Sequence, residues 1–340
     1  MSSFLVKLLP QVKLLLEGAE APASSLARAV ERLGCEVHVP LADEVVGSFS
    51  SGQLQVLRCE SLPAPPQDPL REGAAPLFFH DRVRVSLDST GQTVWIYDGT
   101  VRLKLVLDDN TAVCAFSHDF NPDIVFVRTF VPVFLSMLLW LRGYYYVHGA
   151  LASLPGAGSL LLLGESGAGK STTLLSLMKH GASWFTDDMA FAGPAGASGS
   201  GLFGLPRDFH LTDETLQEFP QLQPYLLNEP RFREKAGVRV SEMLPGWQRE
   251  APTPATILVL GERRERFQAT ALSQSEVFLA LLRASAWGAV PGMPRTLEHH
   301  SALHRLACSA AGYSVCMRHN SIGDVQELLE FLGHASDTGR

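Results

Sequence analysis

The chain has 340 residues, which at roughly 100–200 residues per domain points to two domains or one elaborated domain. Hydrophobic residues at 46% against charged residues at 19% exclude a disordered chain, which would lack apolar surface to bury. The net charge of −7 disfavours a protein built to hold bare nucleic acid, and five cysteines without a C-x-x-C pair suit a reducing, cytoplasmic setting better than a disulfide framework.

The run Met1–Ala21 is apolar enough to be tested as an export signal. Lys7, Pro10 and Lys13 interrupt it and no early basic region precedes it, so export is not expected. Ala23–Gly34 reads as a short amphipathic helix closed by a glycine, and the proline-bearing Ser61–Pro76 as a loop or linker. Val83–Leu87, Thr93–Tyr97, Val101–Leu107 and Thr111–Phe116 alternate apolar and polar residues. Turn signals at Thr90-Gly91, Asp98-Gly99 and Asp108–Asn110 separate them, which predicts an antiparallel meander. In the third segment Val101, Leu103, Leu105 and Leu107 share one face, with Arg102 and Lys104 on the other. Residues 1–120 are therefore expected to form a β-rich accessory lobe, a candidate substrate-binding lobe.

Residues 121–335 have a different character. Pro122–Arg142 reads as a helix whose most apolar stretch, Thr129–Leu141, has 13 residues, short of the roughly 20 that a membrane span needs. Apolar residues run nearly all round it, which predicts burial. Strand-like Tyr144–Leu154, a turn at Pro155–Gly158 and the continuous apolar strand Ser159–Leu163 follow. A glycine-rich loop leads into the helix Ser171–His180, with Gly181 placed as its C-terminal cap. Strand Ala182–Thr186 is next. The Gly/Ala/Ser-rich stretch Gly193–Gly204 reads as a mobile hairpin tip or lid edge. Strand Ala255–Leu260, helix Ser273–Trp287 with a capping box of Ser273 and Glu276, strand Tyr313–Met317 and helix Ser321–Leu332 opened by Ser321 and Asp324 complete the alternation. His299, His300 and His304 show no supporting carboxylate or cysteine pattern and are read as surface residues.

Gly164-Glu165-Ser166-Gly167-Ala168-Gly169-Lys170-Ser171 fits G-x-x-x-x-G-K-[ST] at every fixed position, and it stands between a buried strand and a helix, as that motif requires. The glycines let successive N–H groups turn inward to phosphate oxygens, and the helix start adds the positive end of its dipole. Lys170 is the candidate for the β- and γ-phosphates, Ser171 for Mg²⁺, and Thr172 extends the phosphate-binding set. No N-K-x-D guanine-reading motif and no L-S-G-G-Q-like signature accompany the loop, which disfavours a Ras-like GTPase and a transporter ATPase. An acidic pair, Asp187-Asp188, arrives only 17 and 18 residues after Lys170, room for one helix and one returning strand. Two carboxylates there can divide labour, one on the metal side and one taking a proton from an attacking hydroxyl.

His148-Gly149, Gly164–Ser171, Gly181 and Asp187-Asp188 together resemble the catalytic domain of HPr kinase/phosphorylase and its relatives. The resemblance is strong over Tyr146–Met189. It implies an α/β fold with a PEP carboxykinase-like P-loop kinase core, ATP and Mg²⁺ as cofactors, Asp188 as base, Asp187 and Ser171 on the metal side, and His148 near the reacting phosphate. The order within the Asp pair stays open. The I-R-G-x-G-like segment of members that phosphorylate HPr is missing. Arg207 and Arg231 lie in its place as candidate phosphate clamps, since a guanidinium presents a fixed fork to oxygens. The expected activity is transfer of the γ-phosphate to a hydroxyl, of serine in a peptide or protein or of a small molecule. A nucleotide-binding scaffold without transfer is the alternative. No nucleic acid and no membrane span are expected, and self-association into a homo-oligomer stays open.

Overall fold

A computed structural model describes residues 2–9, 12–18, 20–31, 36–38, 54–62, 67–69, 75–80, 82–90, 93–106, 111–117, 120–196, 199–205, 207–239, 250–251, 256–285, 293, 295–318 and 325–338. They form a mixed α/β protein with several sheets. It packs as two compact units, residues 1–142 with 290–295, and residues 143–289 with 296–340.

The first unit is built on one nine-stranded sheet. Its strands are β1 (Ser2–Leu9), β2 (Val12–Gly18), β3 (Glu36–His38), β4 (Leu54–Leu62), β5 (Ala75–His80), β6 (Val83–Leu87), β7 (Thr93–Tyr97), β8 (Val101–Val106) and β9 (Thr111–Ser117), in the order β3-β1-β2-β4-β9-β8-β7-β6-β5. The meander expected over residues 83–116 is present as β6 to β9, each pair antiparallel. Val83, Val85, Val94, Ile96, Val101, Leu103 and Leu105 are buried on one face. Arg102 and Lys104 lie on the other, 4.9 and 5.6 Å from the Trp95 ring. The alternation thus holds because each outward cation finds an aromatic surface. The signal-like N-terminus is instead the antiparallel pair β1–β2, and helix α1 (Glu20–Glu31) buries Ala23, Leu26, Ala27 and Val30. Parallel pairings of β2 with β4 and of β4 with β9 join this half to the meander. Cys59 and Cys114 face each other across β4 and β9 as free thiols. Burial pushes Cys59 up to about 12 and raises Cys114 well above its usual range, which makes both poor nucleophiles. The ends of the expected Ser61–Pro76 loop belong to β4 and β5. The apolar helix is a π-helical turn (Phe126–Phe130) followed by α2 (Val131–Leu141), buried nearly all round as its composition requires. No described helix is long and apolar enough to cross a membrane.

The second unit carries three sheets. Strands β10 (Tyr145–His148), β11 (Ala150–Leu154) and β12 (Gly158–Leu163) lead through the glycine-rich loop to α3 (Lys170–Lys179). Then come β13 (Ser183–Thr186), β14 (Met189–Gly196), β15 (Gly199–Leu205), β16 (Phe209–Leu211), α4 (Asp213–Glu218), β17 (Ala236–Val238), β18 (Glu250–Ala251), β19 (Thr256–Leu260), β20 (Gln268–Leu272), α5 (Gln274–Ala284), α6 (Thr296–Ser309), β21 (Ala311–Cys316) and α7 (Gln326–Thr338). A six-stranded sheet runs β13-β11-β12-β19-β21-β20, a four-stranded one β10-β14-β15-β18, and β16 pairs with β17. β12, β19 and β21 are parallel; the apolar runs of β12 and β19 are buried almost throughout, while β21 buries Val315 and leaves Tyr313 half-buried.

Three sequence readings change here. Tyr144–Leu154 is not one strand: it breaks at Gly149, with β10 in the four-stranded sheet and β11 in the six-stranded sheet. A Cβ at Gly149 would lie 2.9 Å from the Leu162 carbonyl oxygen, so the crossing needs a residue without a side chain. Gly193–Gly204 is more than a hairpin tip: its described residues continue the paired strands β14 and β15, where Gly193 and Gly201 admit the Phe203 ring, while residues 197–198 lie outside the described residues. His299 is buried and bonds Ser285 Oγ at 2.9 Å, so it is a core residue of α6. The capping box of Ser273 and Glu276 is present, and Gly181 ends α3 at φ 87°. Ser321 and Asp324 lie outside the described residues.

Candidate active site

The register converges several strand ends on one edge of the six-stranded sheet. β12 ends at Leu163 and runs straight into the loop. Antiparallel β11 begins beside it at Ala150, which faces Leu162, directly after His148-Gly149. β13 ends at Thr186, level with Leu151, and delivers Asp187-Asp188 to the same edge. There the chain leaves the six-stranded sheet and re-enters the other as β14, where Met189 faces His148. Two strands therefore cross between sheets side by side, and the candidate catalytic residues occupy both crossings.

Thr186 holds the second crossing. Its buried hydroxyl donates to the Leu205 carbonyl at 2.7 Å and accepts the Met189 N–H at 3.0 Å. A Cβ at Gly204 would stand 2.6 Å from the Phe185 carbonyl oxygen, so β15 can press on the end of β13 only with glycine there. Neither residue carries a motif, and only their place in the fold reveals them.

The loop has the conformation its glycines predict. Gly167 and Gly169 have φ values of 88° and 95°, and α3 starts from Gly169 with no side-chain cap, so the first amides of α3 lack a side-chain acceptor. Glu165 and Ser166 are exposed, and Ala168 closes a turn onto the Glu165 carbonyl at 3.1 Å. Lys170 is buried, and its Nζ donates to the Gly164 and Glu165 carbonyls at 2.7 and 3.2 Å, bonds that an incoming phosphate can take over. Ser171 Oγ donates to Asp187 Oδ2 at 2.9 Å. Thr172, expected on the phosphates, is instead buried with its hydroxyl 3.0 Å from Thr215 Oγ1, and ties α3 to α4.

The two carboxylates occupy different environments. Asp187 is buried beside Ser171, and its Oδ1 has no hydrogen-bond partner among the described residues. Burial, with the Asp188 charge adding to it, pushes its carboxyl up to about 7 against the lowering pull of Ser171, Lys170 and Arg207. Asp188 also suffers desolvation, but Arg207 and then His148, Lys170 and His210 outweigh it and hold its carboxyl below the usual range. Arg207 is in direct ion-pair contact with Asp188 Oδ2, and His148 Nε2 lies 3.2 Å from Oδ1. Tyr146 reaches His148 Nδ1 from the other side at 3.3 Å. Burial lowers the His148 pKa despite Asp188, so the neutral ring accepts from Tyr146 at Nδ1 and donates from Nε2.

Of the residues expected at the site, the structure thus assembles His148, Gly164 to Ser171, Asp187, Asp188 and Arg207. Arg231 is not among them: half-exposed, it pairs with Asp213 at 2.6 Å and bonds the Glu234 carbonyl. The cation that the same segment brings close is Lys235, whose charge acts on both His148 and Lys170. Tyr146, Thr186, Gly204 and Lys235 had no sequence signal beyond proximity to the motifs. Ser171 with the unpartnered Asp187 oxygen fits a hard divalent cation that takes its remaining ligands from phosphate and water. Among the described residues no group of three or more His, Cys, Asp or Glu side chains is placed to hold a metal ion. Neither models of known protein families nor curated proteins match this chain.

Proposed function

We propose that this chain is an ATP- and Mg²⁺-dependent kinase that transfers the γ-phosphate to a hydroxyl, with serine of a peptide or protein as the preferred acceptor. The observation that carries the reading is the pairing at one sheet edge: Asp187 on the loop serine, and Asp188 one residue on between His148 and Arg207. The second unit would then be a PEP carboxykinase-like core, which a phosphate loop between β12 and α3 and the early acidic pair both support.

In this reading the loop amides and Lys170 grip the β- and γ-phosphates, and the acceptor hydroxyl lies against Asp188. Each carboxylate oxygen retains a lone pair beyond its contact with Arg207 or His148, so Asp188 can still accept a proton. The hydroxyl oxygen bonds to the γ-phosphorus, its proton passes to Asp188, and ADP departs with the electrons of the broken bond. The Arg207 guanidinium, with five N–H groups to offer, steadies the charge spread over the γ-oxygens, while the His148 N–H holds Asp188 in place. Ser171 and Asp187 would hold Mg²⁺, which when bound neutralises the β- and γ-phosphate oxygens. Asp188 and His148 keep 23% and 41% of their side-chain surface exposed, an access that suits a chain-borne hydroxyl better than an enclosed metabolite.

The test is Asp188→Asn. Incubation with γ-labelled ATP and serine-bearing peptides, with water as the default acceptor, should show label transfer by the native protein and a loss of at least about a hundredfold in the variant. Nucleotide affinity should stay within about threefold, because the variant keeps the shape of the side chain. Unchanged turnover removes Asp188 as base. Tight ATP binding without transfer to any hydroxyl means a nucleotide-dependent scaffold.

A further inference from the structure

Resting on the nucleotide reading above, we propose that the bound nucleotide runs along the sheet edge away from Asp188, with Arg263 gripping its phosphate chain and its nucleoside lying in the groove lined by Arg263 to Gln268. Three observations carry this. The acidic pair lies two strands to one side of the loop-bearing β12, through β11 to β13, so the transferring end of the phosphate chain faces that way. The remaining phosphates and the nucleoside must then extend to the other side, where β19 is the neighbour of β12.

The end of β19 is built against the loop. A Cβ at Gly164 would stand 3.0 Å from the Leu260 carbonyl oxygen, and one at Gly169 would stand 3.7 Å from an Arg263 guanidinium nitrogen. Arg263 thus reaches the last loop glycine before α3 from the side opposite Asp188. The rest of the segment is pinned. Gly261 N–H donates to Val315 O at 2.9 Å, Arg264 N–H to Met317 O at 2.8 Å, and the Arg264 side chain to Gln268 Oε1 at 2.9 Å, while Phe267 packs on Phe331.

Beside it lies an open cavity of about 610 Å³, lined by Arg263, Arg264, Glu265, Arg266, Phe267 and Gln268. That is the volume range of small-ligand sites, and it offers an aromatic ring among cations. A guanidinium next to the loop adds a fixed cation on the side away from Asp188, where neither Lys170 nor Arg207 is placed to serve the rest of the phosphate chain.

The experiment is calorimetric titration of the full chain with Mg·ATP and Mg·tripolyphosphate. The native protein should bind Mg·ATP at least about tenfold more tightly than tripolyphosphate, because the groove adds nucleoside contacts. Arg263→Gln should weaken both by about tenfold, and Arg263→Lys should recover part of the loss. Equal native affinity for the two ligands overturns the groove. Native-like binding by Arg263→Gln, or loss for ATP alone, overturns the phosphate contact. Lys170→Ala separates this from the underlying reading. If the native chain binds ATP and Lys170→Ala does not, while Arg263→Gln is neutral, only the present inference fails. If the native chain binds neither ligand, the nucleotide reading fails with it.

Discussion

Thr186→Val strikes the support of the acidic pair while leaving the pair itself untouched. The exchange keeps volume and branching and deletes one buried hydroxyl. That hydroxyl donates to the Leu205 carbonyl at 2.7 Å and accepts the Met189 N–H at 3.0 Å; the Asp188 N–H, at 3.4 Å, adds little. Valine leaves two buried backbone groups without this partner, at about 1–3 kcal/mol each. A methyl in place of the hydroxyl returns up to about 1 kcal/mol by burial. With each group near the middle of that range, the net loss is about 3–4 kcal/mol, and for a unit of this size each kcal/mol lowers the melting midpoint by about 2–4 °C. Calorimetry should therefore find Thr186→Val melting roughly 5–15 °C below the native chain, by that same conversion. Thr186→Ser keeps the hydroxyl and should lose only about 1 kcal/mol. Phosphate transfer should fall in the valine variant more than nucleotide affinity, because Asp187 and Asp188 follow Thr186 directly while the loop does not depend on it. A valine variant that melts with the native protein, or a serine variant as unstable as the valine one, would refute the assignment of the hydroxyl as the clamp.

Gly204→Ala should destabilise by about 1–3 kcal/mol or more, read from the denaturant midpoint, since its Cβ meets Phe185 backbone atoms at 2.6 and 2.8 Å that cannot rotate away. Arg207→Gln should slow transfer by at least about tenfold while ATP affinity changes little, measured with the labelled-ATP assay, because the lost ion pair is with Asp188. His299 should make the protein acid-sensitive. Burial lowers it from 6.5 to about 4, so between those values the unfolded chain binds a proton that the folded one refuses. Its contribution is complete above pH 6.5 and is lost as pH falls toward 4, up to about 3 kcal/mol. His299→Gln should flatten that part of the stability curve; an unchanged slope would assign the acid sensitivity elsewhere.

Much of this protein is local and could be read along the chain. The β6–β9 meander follows from alternation and turn residues, α2 from an apolar run too short to span a membrane, and the α5 start from the Ser273–Glu276 box. The glycine-rich loop is likewise local, since glycine conformations and the following helix amides are properties of adjacent residues. Readings failed where a neighbour distant in sequence sets the outcome. Tyr144–Leu154 has unbroken strand propensity, yet Leu162 excludes a side chain at Gly149 and the strand divides between two sheets. Gly193–Gly204 has the composition of a loop, yet Phe203 and the end of β13 require small residues on paired strands there. Arg231 reads as a candidate phosphate clamp, yet packing commits it to Asp213, and Lys235 is the cation of that segment near His148.

The same division applies to the site. Residue types and short spacings suffice to name the loop, Ser171 and the acidic pair, because one helix and one strand leave few ways to return to the loop. They are silent on the different environments of Asp187 and Asp188. That difference comes from Ser171 on one side and His148 and Arg207 on the other, contacts closed across the chain by two strands crossing between sheets at one edge. Desolvation and Coulomb attraction depend on where atoms end up, and a linear pattern carries no record of it.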